Sequence, residues 1–139
     1  MSKVFLGGTV TGCNPMYGWR GKLIPMLKID YFNPVVRRWN KEAIEEEYRQ
    51  KYEKCDYCLF VITPEIRGYL SIAEAADMSN KNPKGTIFCV INETFENDKK
   101  FHYKQLRSLD NVGDLVKRNG GQYFTSLEAV ADYLNTNRK

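Results

Sequence analysis

Short apolar runs alternate along the chain with longer stretches in which apolar residues recur every three or four positions, and that alternation predicts the elements. Lys3 to Leu6 reads as a first strand stopped by Gly7-Gly8, and Trp19 to Leu27 as a short helix that Pro25 must end or bend. Ile29 to Phe32 is a second strand, closed by Asn33-Pro34. Asn40 caps a polar helix through Lys54, with Ile44 and Tyr48 on its inner face and Glu46 facing Arg49 and Gln50 outside. Tyr57 to Thr63 is apolar on both faces, as a central parallel strand covered by helices should be, and Pro64 ends it. Ser71 caps the next helix, through Asn80, with Glu74 at the position that completes a capping box. Thr86 to Ile91 repeats the buried-strand pattern, and helical segments follow between Phe101 and Arg118 with a break expected near Asp110 to Gly113. After Gly120-Gly121, Gln122 to Thr125 is a short fifth strand, and Ser126 caps a last helix whose Leu127, Val130 and Leu134 face inward. Five strands alternating with helices predict an α/β fold over residues 1–139. It is a single domain with one doubly wound parallel sheet, the flavodoxin-like order 2-1-3-4-5 and helices on both faces.

Composition narrows the classes. With 42% hydrophobic and 27% charged residues in 139, the chain has a core to build and is no disordered tail. No apolar run approaches the roughly 18 residues of a membrane span. The opening Met1-Ser2-Lys3 leads into Val4-Phe5-Leu6, too short for a signal-peptide core, so a cytoplasmic protein without membrane contact is expected. The net charge of +4 helps attract phosphates but is too small and dispersed to imply a nucleic-acid surface. Lys99, Lys100, Lys104 and Arg107, preceded by Glu96 and Asp98, read as a solvated helical face. Cys55-Asp56-Tyr57-Cys58 matches C-x-x-C, yet Cys58 opens a strand rather than a helix, and Cys13 and Cys89 supply no second close pair for zinc. Buried reduced thiols are the expectation, with no metal and no cofactor.

In such a sheet ligands bind beyond the carboxyl ends of the strands, near the point where strand order reverses. That rule selects Gly7 to Arg20, Asn33-Pro34 and Thr63 to Glu74. Gly7-Gly8-Thr9 lacks the endings of known phosphate loops but lets a ligand approach the backbone. Trp19 and Arg20 are either a stacking plane beside a guanidinium or a core anchor beside a surface charge. Glu74, within Gly68-Tyr69-Leu70-Ser71, is either a capping glutamate or a carboxylate poised at the sheet edge. His102 lies outside these segments and reads as a surface or helix-end residue.

Val4 to Thr9, the spacing D-x7-P-x9-E from Asp56 through Pro64 to Glu74, the Phe32-Asn33-Pro34 triplet and the Trp19-Arg20 pair together resemble the nucleoside 2-deoxyribosyltransferases and related nucleotide N-glycosidases. The resemblance implies that Glu74 attacks the anomeric carbon of a deoxyribosyl unit. A glycosyl-enzyme ester forms, and a second base or water resolves it with net retention. Glu65 is then the candidate proton donor to the leaving base, ahead of Asp77. Gly7, Gly8, Thr9, Trp19, Arg20, Asn33, Pro34, Pro64, Gly68, Tyr69 and Ser71 are the candidate substrate contacts, with Thr9, Ser71 and Arg20 suited to a phosphate. The resemblance also implies a homo-oligomer, in which Asn92 after the fourth strand reaches a shared site. Two positions depart from the family's pattern. Phe5 stands where many members carry a tyrosine that orients the nucleophile, with Tyr69 the candidate to replace it, and Gly68 stands where transferases carry a base-contacting aspartate. Transfer, hydrolysis and a non-catalytic nucleotide-binding module on the same scaffold all remain open at this point. A receiver domain is excluded because Gly7-Gly8-Thr9 and Thr63-Pro64 occupy the places of its acidic residues.

Overall fold

The computed structural model describes residues 2–95 and 98–137; Met1 and Glu96, both invoked above, lie outside them. Five parallel strands, β1 (Lys3–Gly8), β2 (Asp30–Phe32), β3 (Tyr57–Ile62), β4 (Thr86–Val90) and β5 (Gln122–Phe124), form one sheet in the order β2-β1-β3-β4-β5. This is the predicted doubly wound arrangement. Alternation along the inner strands divides the core in two. Val4, Leu6, Leu59, Val61, Ile87 and Cys89 face helices α1 (Trp19–Leu23) and α5 (Leu127–Thr136), whose Trp19, Leu23, Leu127, Val130 and Leu134 close that side. Phe5, Cys58, Phe60, Ile62, Phe88 and Val90 face the other way, against Ala75 and Met78 of α3 (Tyr69–Lys81) and Leu109 and Val116 of α4 (Tyr103–Arg118). A strand whose odd and even positions are both buried has to be largely apolar, and in β3 the one hydroxyl, on Tyr57 at the strand's start, is satisfied by donating to Asn137 O at 2.8 Å.

Helix caps mostly follow the predicted chemistry. The Asn40 side chain accepts from Ala43 N–H at 2.8 Å to start α2 (Lys41–Arg49), and the Ser126 hydroxyl accepts from Ala129 N–H at 3.2 Å to start α5. His102 is the end residue it was expected to be, accepting from Lys104 N–H while Gln105 answers its own N–H.

Four expectations are corrected. The first helix stops at Leu23, because Pro25 turns the next residues into a single 3₁₀ turn, Ile24–Met26. Ile44 and Tyr48 are exposed rather than inward. α2 buries no residue of its own, and it is the π-helical turn Gln50–Lys54 prolonging it that meets β1. That turn buries Lys51. Ser71 caps nothing: the cap position of α3 lies three residues earlier, at a Gly68 in the left-handed region (φ 68°), so Glu74 is no capping partner and its carboxylate is available elsewhere. Finally, α4 runs unbroken through Asp110 and Gly113. The glycine makes room for the Tyr123 ring, and Asp110 accepts a short hydrogen bond from the Tyr123 hydroxyl.

That last arrangement reverses the usual rule for a helical glycine. Glycine to alanine in a helix interior ordinarily stabilises by about 1 kcal/mol. At Gly113 a Cβ would sit 2.3 to 2.5 Å from Tyr123 ring atoms. Gly113→Ala is expected to cost roughly 1–3 kcal/mol, read as a lower urea midpoint at unchanged slope.

Candidate active site

At the carboxyl edge of β1 and β3 a cavity of about 290 Å³ opens between the end of β1, the loop after β2, α2 and the first turns of α3. This is where strand order reverses, between β1 and β3. Gly7, Gly8, Arg20, Pro34, Ser71 and Glu74 all line it, so six of the residues singled out in the sequence converge. Gly8 is required there by geometry: at φ 116° any Cβ would lie 2.1 Å from the Val61 carbonyl oxygen.

The Glu74 carboxylate accepts a short, charge-assisted hydrogen bond from Lys51 Nζ, and Glu47 lies 3.5 Å from the same nitrogen. Lys51 is nearly buried, with its ammonium 5.2 Å from the centre of the Phe5 ring. Burial by itself would lower the Lys51 ammonium, but the hydrogen bond to Glu74 and the charges of Glu74 and Glu47 outweigh it and hold the group above the ordinary 10.5. The π turn aims this lysine inward, and the Cys58 thiol supports the turn by donating to the Lys51 carbonyl at 3.4 Å.

Arg20 closes the opposite wall. Its Nε and Nη2 donate to Leu6 O at 3.2 and 2.8 Å, and Nη1 to Thr9 O at 2.7 Å. Desolvation lowers this guanidinium to about 9 while Glu47 opposes the shift, so it stays charged at neutral pH. Three of its five N–H groups are therefore spent on the backbone, which leaves two for the expected phosphate role. The cavity charges pair off, Arg20 and Lys51 against Glu47 and Glu74.

Other expected contacts are used elsewhere. Trp19 is a core anchor, 2% exposed, whose indole N–H donates to Thr9 O at 3.0 Å, so it offers no open stacking plane. Thr9 is buried, and its hydroxyl accepts from Thr63 N–H at 3.0 Å. Asn33 braces its own loop, donating to Pro15 O and accepting from Val35 N–H. Pro64, Glu65 and Tyr69 line a groove between α3 and α4, and Glu65 also lines a small cleft that shares Val10, Gly12, Arg20 and Val35 with the cavity. Glu65 does not line the cavity that holds Glu74; its carboxylate accepts from the Thr63 hydroxyl and Phe95 N–H. Tyr69 likewise cannot stand in for the missing tyrosine, and Asp77 pairs with Lys81 on the exposed side of α3. Gly68 serves as the start of α3. Asn92 braces the next loop by accepting from Phe101 N–H at 2.8 Å. Asp56, the first residue of the D-x7-P-x9-E spacing, sits at the amino edge of the sheet and accepts from Lys3 N–H.

Among the lining residues that have no counterpart in the expected contacts, Glu47 and Trp39 carry a charge and an exposed ring, and Lys51, equally unexpected, lies behind the wall in contact with Glu47 and Glu74. Glu47 and Lys51 are four apart and so share a helix face, a signal the sequence carries but the apolar period of Ile44 and Tyr48 obscured. The thiols divide as well. Cys58 and Cys89 are buried and pushed up to about 12 by that burial, and Cys55 to about 11, whereas Cys13 is exposed, against the expectation of four buried thiols.

A family model described as nucleoside 2-deoxyribosyltransferase like matches residues 1–94, the segment that contains every residue of the cavity. No curated protein matches the chain.

Two measurements follow from this geometry. A lysine raised in the folded state contributes stability that is complete below its unfolded value near 10.5 and fades as pH rises through the folded one. Lys51→Met should therefore lower stability by about 2–3 kcal/mol at pH 8, and the gap to the parent should narrow as pH rises above the ordinary 10.5 in denaturant titrations. A thiol-reactive chromogen should label Cys13 rapidly in the native protein, with Cys58 and Cys89 reacting only on unfolding.

Proposed function

The chain belongs to the nucleoside 2-deoxyribosyltransferase-like family, and from that premise we propose that it cleaves or transfers at the N-glycosidic bond of a deoxynucleoside or its 5′-monophosphate, with Glu74 as the nucleophile. The observation that carries this reading is the second carboxylate. Glu47 shares the cavity with Glu74, and one ammonium, Lys51, reaches both. Two carboxylates close enough to share a cation match the requirement of a retaining glycosyl transfer, in which one attacks carbon and the other moves a proton.

In the first step a Glu74 oxygen bonds to C1′ as the C1′–N bond breaks. The bonding pair leaves with the base, which takes a proton from solvent, while Glu47 stays charged beside Lys51. Glu74 loses its charge on forming the ester, and Glu47 remains the anion that compensates Lys51. In the second step water, or an acceptor base, attacks C1′ from the face the first base left and gives its proton to Glu47. The Glu74–C1′ bond breaks and the carboxylate returns to Lys51. Lys51 orients the nucleophile, and Arg20 acts on it only indirectly, by fixing the end of β1.

The experiment incubates the protein with deoxynucleosides and their 5′-monophosphates, with and without a free acceptor base, and follows base release by chromatography. Glu74→Gln should abolish release by a factor of 10³ or more, and Glu47→Gln should slow it by about 10²–10⁴. Glu65→Gln should leave it near the parent value. Dependence on the acceptor separates transferase from hydrolase. Binding by calorimetry without turnover in any substrate would instead support the non-catalytic nucleotide-binding module.

A further inference from the structure

We propose that Trp39 is the stacking platform for the base, and that this chain selects its base by ring stacking rather than by reading hydrogen bonds; the inference rests on the N-glycosidic reading above. The cavity has two unlike ends. Arg20, Glu47 and Glu74 supply charge and hydrogen-bonding capacity at the buried end. The mouth is apolar and open: Trp39 is 56% exposed and Leu70 73%, with Val10 and Val36 also exposed beside them.

Single exposed apolar side chains are ordinary, but four on the rim of one cavity form a continuous apolar margin. A ligand that fits both ends has a hydroxyl-rich part and a flat, weakly polar part joined by one bond, which describes a nucleoside. Its sugar belongs at the charged end, where the anomeric carbon meets Glu74. Its base then lies at the mouth, where the indole is the one aromatic face among the lining residues outside the sheet. Trp39 follows Arg37-Arg38 and precedes the Asn40 cap, so its backbone is held at the start of α2 while its ring stays free. Trp19 is unsuited to the task because its ring is buried and its N–H is bonded to Thr9 O.

The mouth side chains Val10, Val36 and Leu70 have no polar atom with which to read a base edge. Stacking is tolerant of base identity, since every base presents a π-face. Purine and pyrimidine nucleosides should accordingly bind within about tenfold of one another.

Because Trp19 is shielded, ligand-induced quenching of tryptophan fluorescence reports on Trp39. Deoxyinosine, deoxyadenosine, thymidine and deoxycytidine are titrated into the parent protein, with 2-deoxyribose as the ring-free control and calorimetry in parallel. Saturable quenching by all four, none by the sugar alone, and affinity at least about tenfold weaker in Trp39→Leu but largely restored in Trp39→Phe are expected. Unchanged affinity in Trp39→Leu overturns the proposal. So does a preference above a hundredfold for one base, or failure of any of the four to bind. If base release persists in Trp39→Leu with an unchanged KM, the stacking role is wrong while the N-glycosidic reading stands.

Discussion

The structure hangs on a buried guanidinium. Arg20 bridges the carbonyls of Leu6 and Thr9, on either side of the glycine pair that ends β1. A strand that stops at Gly8 with φ 116° would otherwise lead into an unconstrained loop. With Arg20 and the Trp19 indole both donating to Thr9 O, and the Thr9 hydroxyl accepting from Thr63, the ends of β1 and β3 are tied at one point. Buried carbonyls need partners, and a charged donor satisfies them more strongly than water or a neutral group would. The cavity floor is the far side of this knot, so its shape is set by the same bonds that finish the sheet.

Against that fixed wall, the opposite wall is electrostatic. Lys51 is brought inward by a turn wound one residue looser than an α-helix, braced by the Cys58 thiol and laid over the Phe5 ring. The C-x-x-C spacing, which invites redox or zinc chemistry on paper, thus has a packing role at its second cysteine. Desolvating an ammonium is costly, and two carboxylates with an aromatic face are what make its burial tolerable.

How legible this was in the sequence depends on which physical signal each residue carries. Strand order and the two-sided core were readable, because β3 and β4 are buried on both faces and apolar after their first residues, Tyr57 and Thr86, as central parallel strands need to be. Gly8, Arg20, Ser71 and Glu74 were readable as neighbours from the rule that ligands bind at the carboxyl edge where strand order reverses. Glu47, Lys51 and Trp39 were not. Periodicity scores apolar residues, so α2 looked as though it should bury Ile44 and Tyr48; both are exposed, and no residue of α2 is buried. Glu47, three residues after Ile44 and so on its side of the helix, is the α2 residue that lines the cavity. Helix starts were similarly ambiguous: Ser71 and Glu74 have capping-box spacing, and only the left-handed Gly68 shows that the helix had already begun. Glu65 and Glu74 are close in sequence, but the end of β3 and the start of α3 send them to different grooves.

Phe5 carries the last step of the argument. Where the family resemblance leads one to expect a tyrosine hydroxyl on β1 to orient the nucleophile, this chain has a ring without one, and an ammonium over it takes the hydrogen bond to Glu74. The exchange alters more than geometry. A hydroxyl is neutral whether or not its partner is charged, whereas a buried ammonium needs an anion throughout. Once Glu74 becomes an ester its charge is gone, and Lys51 would be left uncompensated in a nearly buried position. Glu47, 3.5 Å away, already carries a charge and keeps Lys51 compensated while Glu74 is an ester. Replacing the hydroxyl by an ammonium therefore makes the nucleophile depend on a second, already charged carboxylate beside it. That requirement, rather than proximity alone, is the reason a second carboxylate belongs on α2.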